Sequence, residues 1–239
     1  MTLVIAHRGA SAYAPENTLP AFELAVHQGS DMVEFDVQRS ADGVLVVFHD
    51  ATTERWDGRK RLMTQYTYRE LQKIDIGGAR IPTFAEVCEL ARTYGLRMNV
   101  ELKQTGIAAD VAQVLREQRA EELTLISSFE TTALQEAAIA CPHIPRGYLM
   151  GSNTLNPRVR FRESWPFRAL RQMQAQAWHP TYEIPLALQV IPYVQRAEYM
   201  VNVWTVNKPA MMQRLIDLRV DGIITDTPDV LRGLLKARA

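Results

Sequence analysis

Short runs rich in β-branched and aromatic residues alternate with helix-like stretches from one end of the chain to the other. The runs predict strands at Leu3–Ala6, Met32–Val37, Val44–Phe48, Leu96–Leu102, Leu123–Ser127, Arg146–Met150, Ala177–Pro180, Val201–Val206 and Gly222–Thr225. Between them, Thr83-Phe84-Ala85-Glu86 reads as a capping box with Gly95 closing the helix, and Thr67-x-x-Glu70 as a second, shorter one. Pro209 and Pro228 fall in first helical turns, with Asn207 and Thr227 read as the caps. Ser40-Ala41-Asp42-Gly43 leaves no room for a crossover helix, so Val44–Phe48 is expected to fold back antiparallel on Met32–Val37. Eight parallel strands remain, which predicts a (β/α)₈ barrel with a β-hairpin after the second strand. A doubly wound open sheet is the alternative, but no glycine-rich phosphate loop follows the first strand. The segment from Ala51 to Arg80 lacks periodicity and is expected to be a short insertion near one mouth of the barrel. The whole chain, 1–239, reads as one domain, since no linker-like stretch divides it.

Two of the strands break the apolar pattern expected of a barrel covered on both faces. In Met32–Val37, Val33, Phe35 and Val37 share one face while Glu34 and Asp36 share the other; in Arg97–Lys103, Val100 and Leu102 oppose Asn99, Glu101 and Lys103. The apolar faces suit packing against outer helices, which turns three carboxylates into the barrel. Unpaired burial would cost many kcal/mol, so they either pair with Arg8 and Lys103 or hold a cation. An all-oxygen set points to a hard divalent ion, Mg²⁺ or Ca²⁺, and the lack of a His-x-x-x-His or cysteine cluster speaks against zinc. His7 and His49 each end a strand and precede a charged residue, at the end of a barrel where chemistry is kept. His27 and His143 read as solvated; His179, in Trp178-His179-Pro180, either lines the pocket or packs in the core.

Composition narrows the function classes further. The 239 residues fit one barrel of about 250. Lys plus Arg and Asp plus Glu balance at 27 each, so no global charge draws the chain to nucleic acid or an anionic membrane. Arg158, Arg160, Arg162, Arg168 and Arg171 form a local basic stretch, read by default as a solvated face. Cys88 and Cys141, each among apolar residues, read as reduced buried thiols. The start lacks a basic leader, and no apolar run reaches about 18 residues, so a cytoplasmic protein without membrane insertion is expected.

His7-Arg8-Gly9, Pro15-Glu16-Asn17-Thr18, Glu34-Phe35-Asp36, His49-Asp50, Glu101-Leu102-Lys103, Trp204-Thr205-Val206-Asn207 and Asp221-Gly222-Ile223-Ile224-Thr225-Asp226 occur in that order. Together they resemble the glycerophosphodiester phosphodiesterase family. The resemblance implies a barrel that hydrolyses glycerophosphodiesters to glycerol 3-phosphate and an alcohol. It implies Glu34, Asp36 and Glu101 as metal ligands, His7 and His49 as an acid–base pair, and Arg8 and Lys103 as phosphate contacts. Trp204 would lie against the glycerol or alcohol part and Phe129 would add an apolar wall. Two stretches depart from the family pattern: Ala51 to Gly58 replaces a Leu-x-Arg-Thr-like run, and Ala197-Glu198-Tyr199-Met200 stands where a helix-ending glycine is usual. A related barrel phospholipase acting on lipids, and a non-catalytic sugar-phosphate binder, are the competing readings. The expected partner is a small phosphodiester, with a homodimer through the outer barrel surface left open.

Overall fold

A computed structural model describes residues 1–151 and 164–238. Among the described residues there are nine strands: β1 (Leu3–His7), β2 (Met32–Arg39), β3 (Leu45–Val47), β4 (Arg97–Leu102), β5 (Thr124–Ser128), β6 (Arg146–Met150), β7 (Ala177–Pro180), β8 (Met200–Val203) and β9 (Gly222–Thr225). Eight of them are joined in parallel from β1 through β2, β4 and onward to β9, and β9 pairs back onto β1. The ring is a closed (β/α)₈ barrel. β3 lies outside it, antiparallel to β2 with Val37 opposite Val47, as the hairpin turn requires. The strand read as Val201–Val206 ends at Val203; Trp204 then bridges to Thr181 and the chain enters the rim.

The alternation in β2 and β4 sorts the side chains as the period-2 argument demands. Val33, Phe35, Val37, Val100 and Leu102 are buried against the outer helices, and the Phe35 ring sits 5.5 Å from Phe22 and 6.0 Å from Phe84. Burying each such side chain contributes roughly 1.5–3 kcal/mol. On the other side of the barrel, Trp178, Val201, Val203 and Ile223 pack with Leu170, Ile191, Met212 and Leu215. Inside the ring the layer is polar and tight. A Cβ at Gly147 would lie 2.6 Å from the His179 ring, and one at Gly222 would lie 2.5 Å from Asn202 Oδ1, so both glycines are there to make room. Both free thiols are buried, and burial pushes Cys88 up to about 12, which keeps it an inert thiol.

Thr67 and Thr83 each close a capping box with the glutamate three residues on, and Gly95 ends its helix at φ +62°. The reading of Asn207 as a cap is corrected. Lys208 occupies the cap of helix Pro209–Asp217, and the Asn207 side chain reaches Thr225 and Asp226 instead. Thr227 does occupy the cap before Pro228, but its hydroxyl is turned to Thr225 rather than to the helix. Residues 51–80 build a satellite core of Met63, Tyr66, Leu71, Ile74 and Ile76 with Ile81 just beyond them, against Val46 and Phe48, which seats the insertion beside the C-terminal mouth. Arg168 and Arg171 are exposed on helix Phe167–Gln172, a solvated face as expected; Arg158, Arg160 and Arg162 lie outside the described residues.

Candidate active site

The C-terminal ends of the strands converge on a cavity of about 170 Å³ lined by His7, Arg8, Glu34, His49, Glu101, Lys103, Phe129 and Trp204, closed by Leu149 and Ile224. Asp36, the ninth residue singled out in the sequence, is buried beneath this surface. A larger depression of about 390 Å³ lies at the opposite end of the barrel, around Met1, Val220 and Arg238, away from every one of these groups.

β2 and β4 put the carboxylates next to each other because Asp36 is paired with Glu101 and Glu34 with Asn99 in parallel register. One oxygen from each of Glu34, Asp36 and Glu101 lies within 4.8 Å of the others, and all three are buried. Arg8 Nε stands 3.3 Å from Asp36, Lys103 Nζ 3.4 Å from Asp36 and 2.9 Å from Glu101. Asn17 donates to Asp36 Oδ2 at 2.8 Å, and the Arg8 amide donates to Glu34 at 3.2 Å, helped by a left-handed φ of +55° at Arg8. The two sequence readings of the triad, ion pairing and cation binding, are therefore not exclusive: two cations face three carboxylates.

The electrostatics show the imbalance. Burial, with Asp36 and Glu101 alongside, pushes Glu34 well above the ordinary carboxylate range. Glu101 is pushed up to about 7 by burial and then by Asp36, against the opposing pull of Lys103. Burial would also raise Asp36, but Arg8 and Lys103 outweigh it and hold this carboxyl low. A site that retains protons on two carboxyls for want of positive charge fits a divalent ion bonded at about 2.0–2.6 Å. The linkage has a definite sign. Glu34 and Glu101 have folded-state values above their ordinary 4.5, so the metal-free fold binds extra protons above pH 4.5 and loses stability as pH rises to about 7. Below about pH 6.5 the depressed His179 and His49 pull the other way, so thermal melts in EDTA should fall between about pH 6.5 and pH 8, and added Mg²⁺ or Ca²⁺ should raise the midpoint more at the higher pH. A midpoint that climbs across that window in EDTA would contradict this.

Each histidine has Nδ1 turned to an aspartate. His7 Nδ1 is 2.6 Å from Asp226 Oδ1, and that carboxylate also accepts from Ser11 and Asn207; His7 Nε2 lies 4.0 Å from Glu34. His49 Nδ1 is 2.8 Å from Asp50, and Gln38 steadies the turn by donating to the carbonyls of Phe48, His49 and Asp50. Burial, then the nearby Arg8 and Lys103, outweigh Asp36 and Asp50 and hold the His49 imidazole below its ordinary range. Phe129 and Trp204 meet edge to face at 5.4 Å, and Trp204 Nε1 donates to the His179 carbonyl at 2.7 Å. His179 itself is not in the cavity. It is fully buried inside the barrel against Asn202, and burial drives its pKa down to about 3. His27 and His143 are exposed, as read from the sequence.

Sequence reasoning passed over Asp226, Asp50, Asn17, Glu16 and Asn207 as site residues, although all lie within the motifs quoted. The usable signal was their type: short polar side chains at the rim ends of strands, where barrel enzymes place their orienting groups.

The chain is similar to known proteins over nearly its whole length. The family model described as "Glycerophosphoryl diester phosphodiesterase family" matches residues 7–230. A glycerophosphodiester phosphodiesterase of Caldanaerobacter subterraneus subsp. tengcongensis is 36% identical over 248 residues, covering 98% of each chain. Among solved structures, an Oleispira antarctica phosphodiesterase in complex with the product sn-glycerol-3-phosphate aligns with TM-score 0.86 and 30% identity over 99% of this chain and 97% of that one. The glycerophosphodiester phosphodiesterase of Thermotoga maritima aligns at TM-score 0.81 and 28% identity, covering 98% and 99%. With the family model spanning nearly the whole chain and the barrel, the triad and the two histidines all in place, the chain belongs to the glycerophosphoryl diester phosphodiesterase family of phosphoric diester hydrolases.

Proposed function

We propose that this chain, acting as one domain, hydrolyses small glycerophosphodiesters to sn-glycerol 3-phosphate and an alcohol. A divalent cation, Mg²⁺ or Ca²⁺, would sit on Glu34, Asp36 and Glu101, with His7 and His49 handling the protons. The observation that carries the reading is the convergence of two aspartate-held imidazoles on one small cavity beside a buried carboxylate triad.

A phosphodiester anion resists attack because it is already negative and its alkoxide leaves poorly. When bound, the cation supplies charge neutralisation at the phosphoryl oxygens. Arg8 and Lys103 add fixed positive charge at the same place. With Nδ1 of each histidine donating to its aspartate, Nε2 is the atom left for proton exchange. One imidazole takes the proton of the attacking hydroxyl while the other gives one to the departing alcohol. The attacking hydroxyl belongs either to water or to the adjacent glycerol carbon; both fit the same pair of histidines. Phe129 and Trp204 form an apolar wall that excludes water and packs against the carbon chain.

A cavity of about 170 Å³ lined by charged groups suits a small phosphodiester headgroup. Among the described residues no helix is long and apolar enough to cross a membrane. Turnover of glycerophosphocholine in solution, compared with intact phosphatidylcholine vesicles at equal phosphodiester concentration, tests the substrate class. Release from the soluble ester alone is expected; cleavage of vesicles at a comparable rate would replace this reading by the lipid one.

A further inference from the structure

Arg55 stands on the four-residue helix Glu54–Asp57 of the insertion, in the stretch where the sequence departs from the family pattern. It does not line the cavity, yet each of its three guanidinium nitrogens meets a carboxylate. Nε donates to Asp50 Oδ2 at 2.8 Å, while the two terminal nitrogens donate to Glu16 at 3.0 and 2.5 Å. The other oxygen of Asp50 faces His49 Nδ1 at 2.8 Å. Glu16 in turn accepts from Arg8 at 3.1 Å, and Arg8 stands 3.3 Å from Asp36. An unbroken chain of charges thus runs from His49 through Asp50, Arg55, Glu16 and Arg8 to the triad.

The insertion has holding contacts of its own besides those of Arg55, whose guanidinium also lies over the Trp56 ring at 4.8 Å. Thr53 bonds Asp57 at 2.8 Å, Tyr66 meets the Thr53 hydroxyl at 3.0 Å, and the satellite core is apolar. What Arg55 does do is separate two carboxylates that would otherwise repel across the rim, and hold each by a different edge of one planar fork. A lysine ammonium, a point donor on a flexible stem, cannot satisfy both edges. Asp50 without Arg55 keeps its imidazole contact but loses the partner that fixes its own rotamer.

We propose that Arg55 is a positioning residue: through Asp50 it fixes the His49 ring, and through Glu16 it ties that ring to the Arg8 phosphate contact. The inference rests on the roles given above to His49 and Arg8. It makes the insertion part of the reaction machinery rather than a decoration of the barrel mouth.

Steady-state kinetics of Arg55→Ala on glycerophosphocholine should show kcat lowered by about 10-fold or more, the usual scale for a partner behind a reacting group, with KM changed much less. The melting temperature should stay close to the parent's, because the group is 45% exposed and surface pairs contribute little. Arg55→Lys should recover part of kcat, and free guanidinium ion at millimolar concentration should restore part of it to Arg55→Ala. Combined with Asp50→Asn, the losses should not multiply. A second readout needs no substrate: the His49 Nδ1 proton, followed by ¹H–¹⁵N NMR in the resting protein, should be protected in the parent and broadened by solvent exchange in Arg55→Ala. If the parent fails to cleave glycerophosphocholine while this resonance behaves as stated, the substrate reading is at fault and the positioning role stands. An unchanged kcat, an unchanged His49 resonance, or losses that multiply with those of Asp50→Asn would each overturn the role.

Discussion

Alanine in place of His49 or His7 is expected to lower kcat by about 10²–10⁴-fold while cation binding survives. The fold should tolerate both changes, because neither aspartate is orphaned. Asp226 keeps Ser11 and Asn207 when His7 is removed, and Asp50 keeps Arg55 when His49 is removed. The triad keeps its short ion pairs to Arg8 and Lys103; its imidazole contact, His7 Nε2 to Glu34, is a long one at 4.0 Å. Loss of turnover with a normal cation-induced rise in melting temperature would therefore report chemistry and not unfolding. A variant that keeps most of its turnover would remove that histidine from the reaction.

Glu34→Gln should separate stability from activity in opposite directions. Glu34 is the triad member with the least positive charge at hand: its hydrogen bond is from the Arg8 amide, and Asp36 and Glu101 both push its pKa upward. Neutralising it relieves like-charge repulsion in a buried place, so the melting temperature in EDTA should rise by a few degrees. The same change removes a ligand oxygen's charge, so activity should fall at least about 10²-fold, roughly 3 kcal/mol of barrier, and added cation should no longer stabilise. Asp36→Asn should behave differently in EDTA. Asp36 faces Arg8 and Lys103 together, and removing its charge leaves Arg8 to Glu16 and Lys103 to Glu101 alone, so the metal-free protein should become less stable. Melts of the three proteins with and without cation, set beside their activities, check both signs. A Glu34→Gln protein that still gains stability from Mg²⁺ or Ca²⁺ would take Glu34 out of the metal site.

The barrel was legible in the sequence because its signals are local. Period-2 alternation in β2 and β4 decides which side chains face inward, and that pattern by itself groups Glu34, Asp36 and Glu101 on the interior of the ring. The two capping boxes and the Ser40–Gly43 turn are local as well. What escaped depended on closure of the ring. Asp226 and His7 are 219 residues apart and meet because β9 pairs with β1, so no window of sequence shows the pair. Asn207 looked like a helix cap from its neighbours, yet its Oδ1, the atom a cap would use, accepts from the Thr225 hydroxyl and the Asp226 amide at the β9 end, and its Nδ2 donates to the Asp226 carboxylate. Residues 51–80 looked structureless because their apolar positions answer to a satellite core on β3 and the following loop, not to a helical or strand period. At Glu198 the backbone takes φ +62°, the conformation a helix-ending glycine would favour, so the geometry persists where the expected residue does not.

Release of sn-glycerol 3-phosphate from glycerophosphocholine by the unaltered protein, before and after EDTA and after return of Mg²⁺ or Ca²⁺, tests the central claim most directly. The account predicts turnover that stops on chelation and returns with one of the two ions. Product formation that is indifferent to EDTA would contradict a cation on Glu34, Asp36 and Glu101, and no product under any cation would contradict the assigned reaction.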